Sequence, residues 1–237
     1  MRTKEFLSVR GIEFESVNVH GNPAGMAELA RLGARSLPVV SRGDKFVIGQ
    51  SFEKLAEFLG LNETFKPALS PDQLAARMDL ILTAAQRFVR QIPDDKFLNK
   101  LRNRDRTYRV LCHHLFRIPE AFMEAMTGGV EVRHESLVQA PPDAMKSPGQ
   151  VADYGEDVRR RYAAWWKGWP DHSGTKIVPT YYGERPMHEV MERATWHSGQ
   201  HTRQLMMLLE THGITPDRPL SAADFAGLPM PEKVWDE

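Results

Sequence analysis

The stretch Trp196-His197-Ser198-Gly199-Gln200-His201-Thr202-Arg203-Gln204-Leu205 lies inside a helical pattern that runs from about residue 187 to 212. His197 and His201 are four residues apart, so they stack on one face of a helix. Apolar residues recur on the same face and direct it towards a core: Val190, Ala194, Leu205 and Leu208. Two inward imidazoles suggest a metal site; alternatively, one histidine bonds a neighbour and the other lies at the rim.

A third histidine strengthens the metal hypothesis. In the helical pattern from about residue 104 to 126, His114 falls on the apolar face, whereas His113 falls beside Arg109 and Arg117. Three inward imidazoles from two helices can hold zinc or nickel at about 2.1 Å and leave positions open for water or substrate. We therefore predict His114, His197 and His201 as metal ligands. Catalytic residues stay unassigned, since Glu120 and Glu124 are expected to be ordinary helix-surface carboxylates.

Composition excludes several classes of protein. The chain has 237 residues, with 31 basic and 31 acidic side chains. This length suits two modest domains, and the neutral balance argues against nucleic-acid binding. No apolar run approaches the roughly 20 residues of a membrane helix, and no signal peptide precedes the first helix, so we expect a soluble, cytoplasmic protein. The single cysteine, Cys112, cannot form an internal disulfide and is expected to have a packing role.

The first 61 residues have the pattern of a small α/β domain. A helix is predicted over Thr3 to Val9, and the alternation from Ile12 to Val19 predicts a strand. A helix over Ala24 to Leu32, a hairpin and a last helix follow, the last helix beginning at Ser51 and ending at Gly60. The predicted order is helix, strand, helix, hairpin, helix.

This order resembles a glutaredoxin over about residues 1 to 61, on Lys4-Glu5-Phe6-Leu7, Arg10-Gly11-Ile12, Ser36-Leu37-Pro38-Val39-Val40 and Gly49. Glutaredoxins open with a central strand and a Cys-x-x-Cys, whereas this chain begins inside the following helix. The domain therefore looks truncated, and dithiol chemistry is excluded because the nucleophilic thiolate is missing. The resemblance implies a cis Pro38 that, with the backbone of Leu37, forms a thiol site for glutathione. The alternative is a proline that only shapes a turn.

The absent strand would leave its backbone partners without hydrogen bonds. A partner chain could fill the gap, the remaining strands could pair directly, or the true start could lie upstream of Met1. We favour an upstream start or a dimer contact, and we expect a homodimer.

A linker is predicted over residues 62 to 69, and a second domain over residues 70 to 237, including a C-terminal tail. Four amphipathic helices are predicted there, with a long connection from about residue 127 to 146 that is a candidate lid or crossover. Facing helices of such a bundle can build a site from inward side chains. The fold class is therefore α+β in two domains: a truncated glutaredoxin-like domain followed by an all-α four-helix bundle.

Residues 70 to 215 resemble the DinB/YfiT superfamily, on His114-Leu115, on His197-Ser198-Gly199-Gln200-His201 and on the end of the last helix at Gly213-Ile214. In that superfamily one histidine of the second helix and both histidines of the HxxxH bind a divalent metal, often zinc or nickel. The resemblance therefore implies the same three ligands, His114, His197 and His201. The tail from Ala226 to Pro231 falls outside the predicted bundle.

Several members of that superfamily are metal-dependent transferases or isomerases that use mycothiol, bacillithiol or glutathione. The leading hypothesis is a glutathione-linked S-transferase or isomerase of small electrophiles, with a low-molecular-weight thiol and a small molecule as partners. The alternative is a non-enzymatic, metal-stabilised sensor, binding protein or dimerisation module. Metal-assisted hydrolysis ranks last. Metal removal distinguishes the first two, because a stabilising metal predicts loss of the fold and a catalytic metal predicts a folded, inactive protein.

Overall fold

The computed structural model describes residues 2–62, 66–101 and 105–235, and it divides into two compact units. One unit runs from Met1 to Lys66 and the other from Pro67 to Trp235. Residues 63–65 of the predicted linker lie outside the described residues, as does Arg104, the predicted start of the second bundle helix. A small sheet in the first unit and long helices in the second give the chain an α+β layout.

The first unit contains three short helices and a hairpin: α1 (Arg2–Val9), α2 (Pro23–Leu32), β1 (Val39–Arg42), β2 (Lys45–Ile48) and α3 (Phe52–Leu59). The sequence predicts each of them, and caps mark the ends of α2 and α3. The side chains of Asn22 and Ser51 accept hydrogen bonds at the N-termini of α2 and α3, and Gly33 and Gly60 end these helices in the left-handed conformation. β1 and β2 pair antiparallel beside a small core: Phe6, Leu7, Leu55 and Ala56.

The strand predicted from Ile12 to Val19 is wrong, because this segment forms neither strand nor helix. Alternating residues make a strand only when a neighbouring backbone supplies hydrogen bonds and one face is buried. Both conditions fail here: the segment pairs with neither β1 nor β2, and no full face is buried, since Phe14 is 39% and Val17 52% exposed.

The second unit is built on four long helices: α4 (Pro71–Gln91), α5 (Tyr108–Gly128), α7 (Pro148–Gly168) and α8 (Met187–Thr211). α4 and α5 each pack against both α7 and α8, which gives a four-helix arrangement around one core. Between α5 and α7 lies the short helix α6 (His134–Leu137), and before α8 come the two-residue strands β3 (Ile177–Val178) and β4 (Arg185–Pro186), which pair antiparallel. Short 3₁₀ turns cover Asp94–Lys96 and Ala222–Phe225.

Local sequence explains where these long helices begin. Ser70 with Gln73, and Ser147 with Gln150, form capping boxes that satisfy the first free amides of α4 and α7. Thr107 caps α5 in the same way through its side chain. Inside α7, Gly155 allows close packing, since a Cβ at this position would clash with the ring of Phe116.

The segment after α8 belongs to the second unit, although the sequence analysis left it outside the bundle. Phe225 and Leu228 are buried in the core. Further on, the backbone carbonyls of Pro231, Glu232, Lys233 and Val234 accept hydrogen bonds from three side chains of α8: Gln200, Arg203 and Gln204. We call residues 231–234 the C-terminal strap.

Among the described residues, no helix is both long enough and apolar enough to cross a bilayer.

Candidate metal centre

Two helices bring three histidines together, His114 from α5 and His197 and His201 from α8. One ligand nitrogen from each ring lies within 4.8 Å of the other two, and the group could hold a metal ion. The ring centroids of His197 and His201 are 4.8 Å apart, and the centroid of His114 is 5.3 Å from that of His197 and 5.0 Å from that of His201. Facing helices thus assemble the three residues that the sequence analysis names as ligands.

The hydrogen bond of His114 defines which nitrogen is free to bind a cation. Its Nδ1 lies 2.7 Å from the carbonyl oxygen of Leu137, at the end of α6. A carbonyl only accepts, so Nδ1 carries the proton and Nε2 carries the lone pair. Metal-binding histidines are commonly oriented through their second nitrogen in this way.

His201 is oriented by a longer chain of contacts. Its Nδ1 lies 2.7 Å from Oε1 of Gln204, and the Nε2 of Gln204 donates to the carbonyl of Val234 at 3.0 Å. Because the carbonyl of Val234 only accepts, the amide group of Gln204 must present its oxygen to His201. The C-terminal strap therefore fixes Gln204, and Gln204 fixes the ring of His201 with its lone pair on Nε2.

His197 is the more accessible member of the group. It is half-buried and stacks on the indole of Trp196, with centroids 5.5 Å apart and planes 27° apart. Burial, followed by the nearby charges of His201 and His114, lowers the pKa of His197 well below its ordinary value. Burial lowers the pKa of His114 in the same way. Both rings are thus neutral near pH 7, the form in which imidazole binds a metal.

The donor set fits a divalent ion such as zinc or nickel. Imidazole nitrogens suit both metals. Three nitrogens about 2.1 Å from one ion are roughly 3 to 4 Å apart, so small adjustments within the observed 4.8 Å suffice for shared coordination. Three protein ligands leave at least one position open, which is the usual form of a reactive zinc site.

A cleft opens beside His197, with an empty volume of about 300 Å³ that includes its mouth. Its walls are mainly apolar and come from α5, from α8 and from the segment around α6: Ile118, Phe122, Leu137 and Val190. Tyr181, Tyr182 and Arg193 are its other polar or aromatic neighbours. A small molecule in this cleft would therefore contact one ring of the triad directly.

The expectation that Glu120 is an ordinary surface carboxylate is wrong. Its side chain accepts hydrogen bonds from Arg117 at 2.7 Å, from Tyr154 at 2.5 Å and from Arg161. Burial raises the pKa of Glu120, but these hydrogen bonds outweigh it and hold the pKa below its ordinary value. The sequence could not reveal this burial, because Tyr154 and Arg161 come from α7.

Arg117 also holds the segment that orients His114. Nε of Arg117 donates to the carbonyl of Ser136 at 2.8 Å, and the next residue, Leu137, holds His114. The neighbouring His113 is buried and stacked on Tyr154, with centroids 5.0 Å apart, and burial lowers its pKa to about 4. His113 therefore packs between α5 and α7, while His114 faces the other two histidines of the triad.

Cys112 is fully buried, as its predicted packing role requires, and burial raises the pKa of its thiol. The thiolate is the reactive form of cysteine. Cys112 is therefore no candidate for nucleophilic chemistry in the folded protein.

The first unit places Leu37 and Pro38 immediately before β1. The peptide bond between them is cis, as the glutaredoxin resemblance implies. The side chain of Leu37 is 47% exposed, and its carbonyl accepts a hydrogen bond from Nε2 of Gln50 at 2.6 Å. These two residues lie in a different unit from the histidine triad.

The sequence analysis missed the residues that orient and surround the triad. Gln204 stands three residues after His201, so helical spacing could have indicated it. The carbonyl of Leu137 and the position of Arg193 at the cleft had no comparable signal, because both depend on how α6 and the segment around residue 181 fold back onto the helices.

Part of the chain matches a known protein family. The glutaredoxin family model matches residues 1–47. No curated protein matches the chain. The match supports a glutaredoxin-like first unit and hints at a thiol-related function, whereas the helical unit that holds the triad is interpreted from its own geometry.

Replacing Gln204 by leucine is expected to weaken metal binding by about 10- to 100-fold, because partners that orient a metal ligand contribute an effect of this order. Leucine keeps the volume of the side chain but cannot accept the proton of His201. The affinity is measured by competition with a chelator. Gln200→Leu is the matched control, since Gln200 also holds the C-terminal strap and is not hydrogen-bonded to His201. Equal losses in both variants would assign the effect to the strap alone.

Proposed function

We propose that the chain is a metal-dependent, glutathione-linked S-transferase or isomerase that acts on small electrophiles. The helical unit would be a DinB-like bundle over residues 70 to 237, joined by the linker 62–69 to a glutaredoxin-like domain over residues 1 to 61. His114, His197 and His201 would hold zinc or nickel, and Leu37 and Pro38 would contribute to a glutathione site. A homodimer is part of this proposal.

One observation carries it: a triad of imidazoles, two of them held with Nε2 as the lone-pair nitrogen, stands at the edge of an apolar cleft. A divalent ion held by three neutral imidazoles keeps its full positive charge and supplies the Lewis acidity that lowers the pKa of a thiol or of water. The protein's own residues would orient the ligands, through Leu137 and Gln204, and exclude water from the reacting molecule through the apolar walls.

The two units can cooperate through covalent linkage alone. The glutaredoxin family match supports a thiol-related role for the first unit. A thiol bound anywhere on the same chain has an effective concentration set by the linker, in the millimolar range for short flexible linkers. In the transferase reaction the sulfur forms a bond to the electrophilic carbon, the leaving group departs with its electron pair, and the thiol proton passes to solvent.

The test is turnover by the full chain loaded with zinc or with nickel. Glutathione is supplied with electrophiles of several kinds, such as chlorodinitrobenzene, an epoxide and an unsaturated carbonyl compound. We expect rates at least 100-fold above buffer, loss of activity in His201→Ala, and full activity in His134→Ala, whose histidine is exposed and outside the triad. Turnover no faster than buffer with every electrophile and both metals would overturn the proposal.

A second candidate is a metal-stabilised binding protein. The cleft favours it in one respect, since its described lining contains no carboxylate to act as a general base. This candidate predicts that chelation unfolds the helical unit, whereas the enzyme predicts a folded apoprotein without activity. Circular dichroism of the chelated full chain, read beside its activity, separates the two.

A further inference from the structure

Arg193 is the only charged side chain that lines the cleft within the described part of the chain. It lies one helical turn before His197 on α8, so both side chains face the same side of the helix. Its Nη2 donates to the hydroxyl of Tyr181 at 3.0 Å, and its guanidinium carbon is 5.0 Å from the ring centroid of Tyr182. Two tyrosines thus hold Arg193 at the cleft.

No carboxylate of the described residues pairs with Arg193. Glu189, one turn earlier on α8, lies 3.9 Å from Nε of Arg185 instead. In the described part of the chain, the guanidinium of Arg193 contacts a hydroxyl and a ring face, neither of which carries a full negative charge. A guanidinium is always charged and presents a planar pair of donors that matches a carboxylate.

We propose that the cleft binds a small aromatic monocarboxylate, with the carboxylate paired to Arg193 and the ring between the apolar walls beside His197. A single guanidinium balances one negative charge, which favours a monoanion. The rings of Phe122 and Tyr182 and the aliphatic side chains of α5 and α8 offer an apolar surface for the ring of the ligand.

The cleft is open to solvent at its mouth, so a ligand can enter there and lie against the apolar walls. A polar tripeptide such as glutathione matches these apolar walls poorly. If the proposed function is right, the bound monocarboxylate is the electrophilic substrate, and only this role rests on the proposed function. The binding of the monocarboxylate requires no reaction.

The experiment compares probes that differ in charge and share one shape. Binding of 2-naphthoate and of 2-naphthamide to the metal-loaded full chain is measured by calorimetry. We expect the acid to bind at least tenfold more tightly than the amide, because a carboxylate forms charge-assisted hydrogen bonds to a guanidinium and a neutral amide does not carry the matching charge. Equal affinities would overturn the proposal without any variant.

Substitution of Arg193 tests whether this residue causes the difference in affinity between the acid and the amide. Arg193→Gln is expected to weaken binding of the acid at least tenfold and leave the amide unchanged, and Arg193→Lys to recover part of the loss. Arg160→Gln, on the exposed side of α7, is the control. Metal content is measured for each variant and should stay at one equivalent. An unchanged affinity of Arg193→Gln for the acid would refute the assignment.

The outcomes separate this inference from the proposed function. Absence of turnover with glutathione, together with charge-dependent binding of naphthoate, would remove the transferase and keep the anion site. If Arg193→Gln instead impaired binding of glutathione and spared naphthoate, the cleft would be the thiol site, and the inference would be wrong.

Discussion

Alanine in place of His201 is expected to reduce the metal content of the purified chain from one equivalent to nearly none. The ring of His201 contacts both other rings of the triad, and two neutral imidazoles are a poor site for zinc or nickel compared with three. Metal content is measured by elemental analysis of protein without a histidine tag, after dialysis against buffer that contains zinc or nickel.

The same measurement on other histidines tests whether the loss is specific. His114→Ala and His197→Ala should behave like His201→Ala, since each residue supplies one nitrogen of the triad. His134→Ala should keep its metal, because His134 is exposed and lies outside the triad, with its ring tilted against that of Tyr181. A full equivalent of metal in His201→Ala would show that the triad is not the metal site, and the proposed enzyme would fail with it.

Glu120→Ala is expected to lower the free energy of unfolding of the helical unit by about 3 kcal/mol. Removing one partner of a buried ion pair costs roughly 3 to 5 kcal/mol, because it leaves a buried charge uncompensated. The lower end applies here, since Arg117 keeps a second carboxylate, that of Glu124 at 2.6 Å. Chemical denaturation followed by circular dichroism measures the change.

Glu124→Ala provides the matched control on the same helix. Its side chain is 50% exposed, whereas that of Glu120 is 12% exposed, and exposed ion pairs contribute about 1 kcal/mol or less. We also expect a fall in melting temperature of about 6 to 12 °C for Glu120→Ala, from roughly 2 to 4 °C per kcal/mol for a unit of this size. Equal destabilisation by both substitutions would contradict the assignment of the buried network to Glu120.

These two predictions differ in how far the sequence alone leads to them. The proposed ligand set follows from helical spacing, because His197 and His201 must share a face of α8 and His114 falls on the apolar face of α5. The loss of stability in Glu120→Ala cannot be predicted in this way, since the residue spacing of α5 does not indicate which helix packs against Glu120. Tyr154 and Arg161 reach Glu120 from more than 30 residues away along the chain.

The first unit also shows which features local sequence predicts and which it does not. The caps at Asn22, Ser51, Gly33 and Gly60 are local signals, and the helices begin and end where these residues predict. The alternation from residue 12 to 19 is also local, yet it makes no strand, because a strand needs a hydrogen-bonding neighbour that periodicity cannot supply.

The sequence by itself thus determined the helices other than the short α6, the caps at their ends and the inward direction of three histidines, because all of these depend on residues at most a few positions apart. Only the tertiary structure decided which nitrogen of His114 and His201 carries the lone pair, that the C-terminal strap supports Gln204, and that Arg193 faces an apolar cleft. The physical reason is that a proton position, a buried charge and a cleft are properties of groups brought together from distant parts of the chain, and local periodicity carries no information about them.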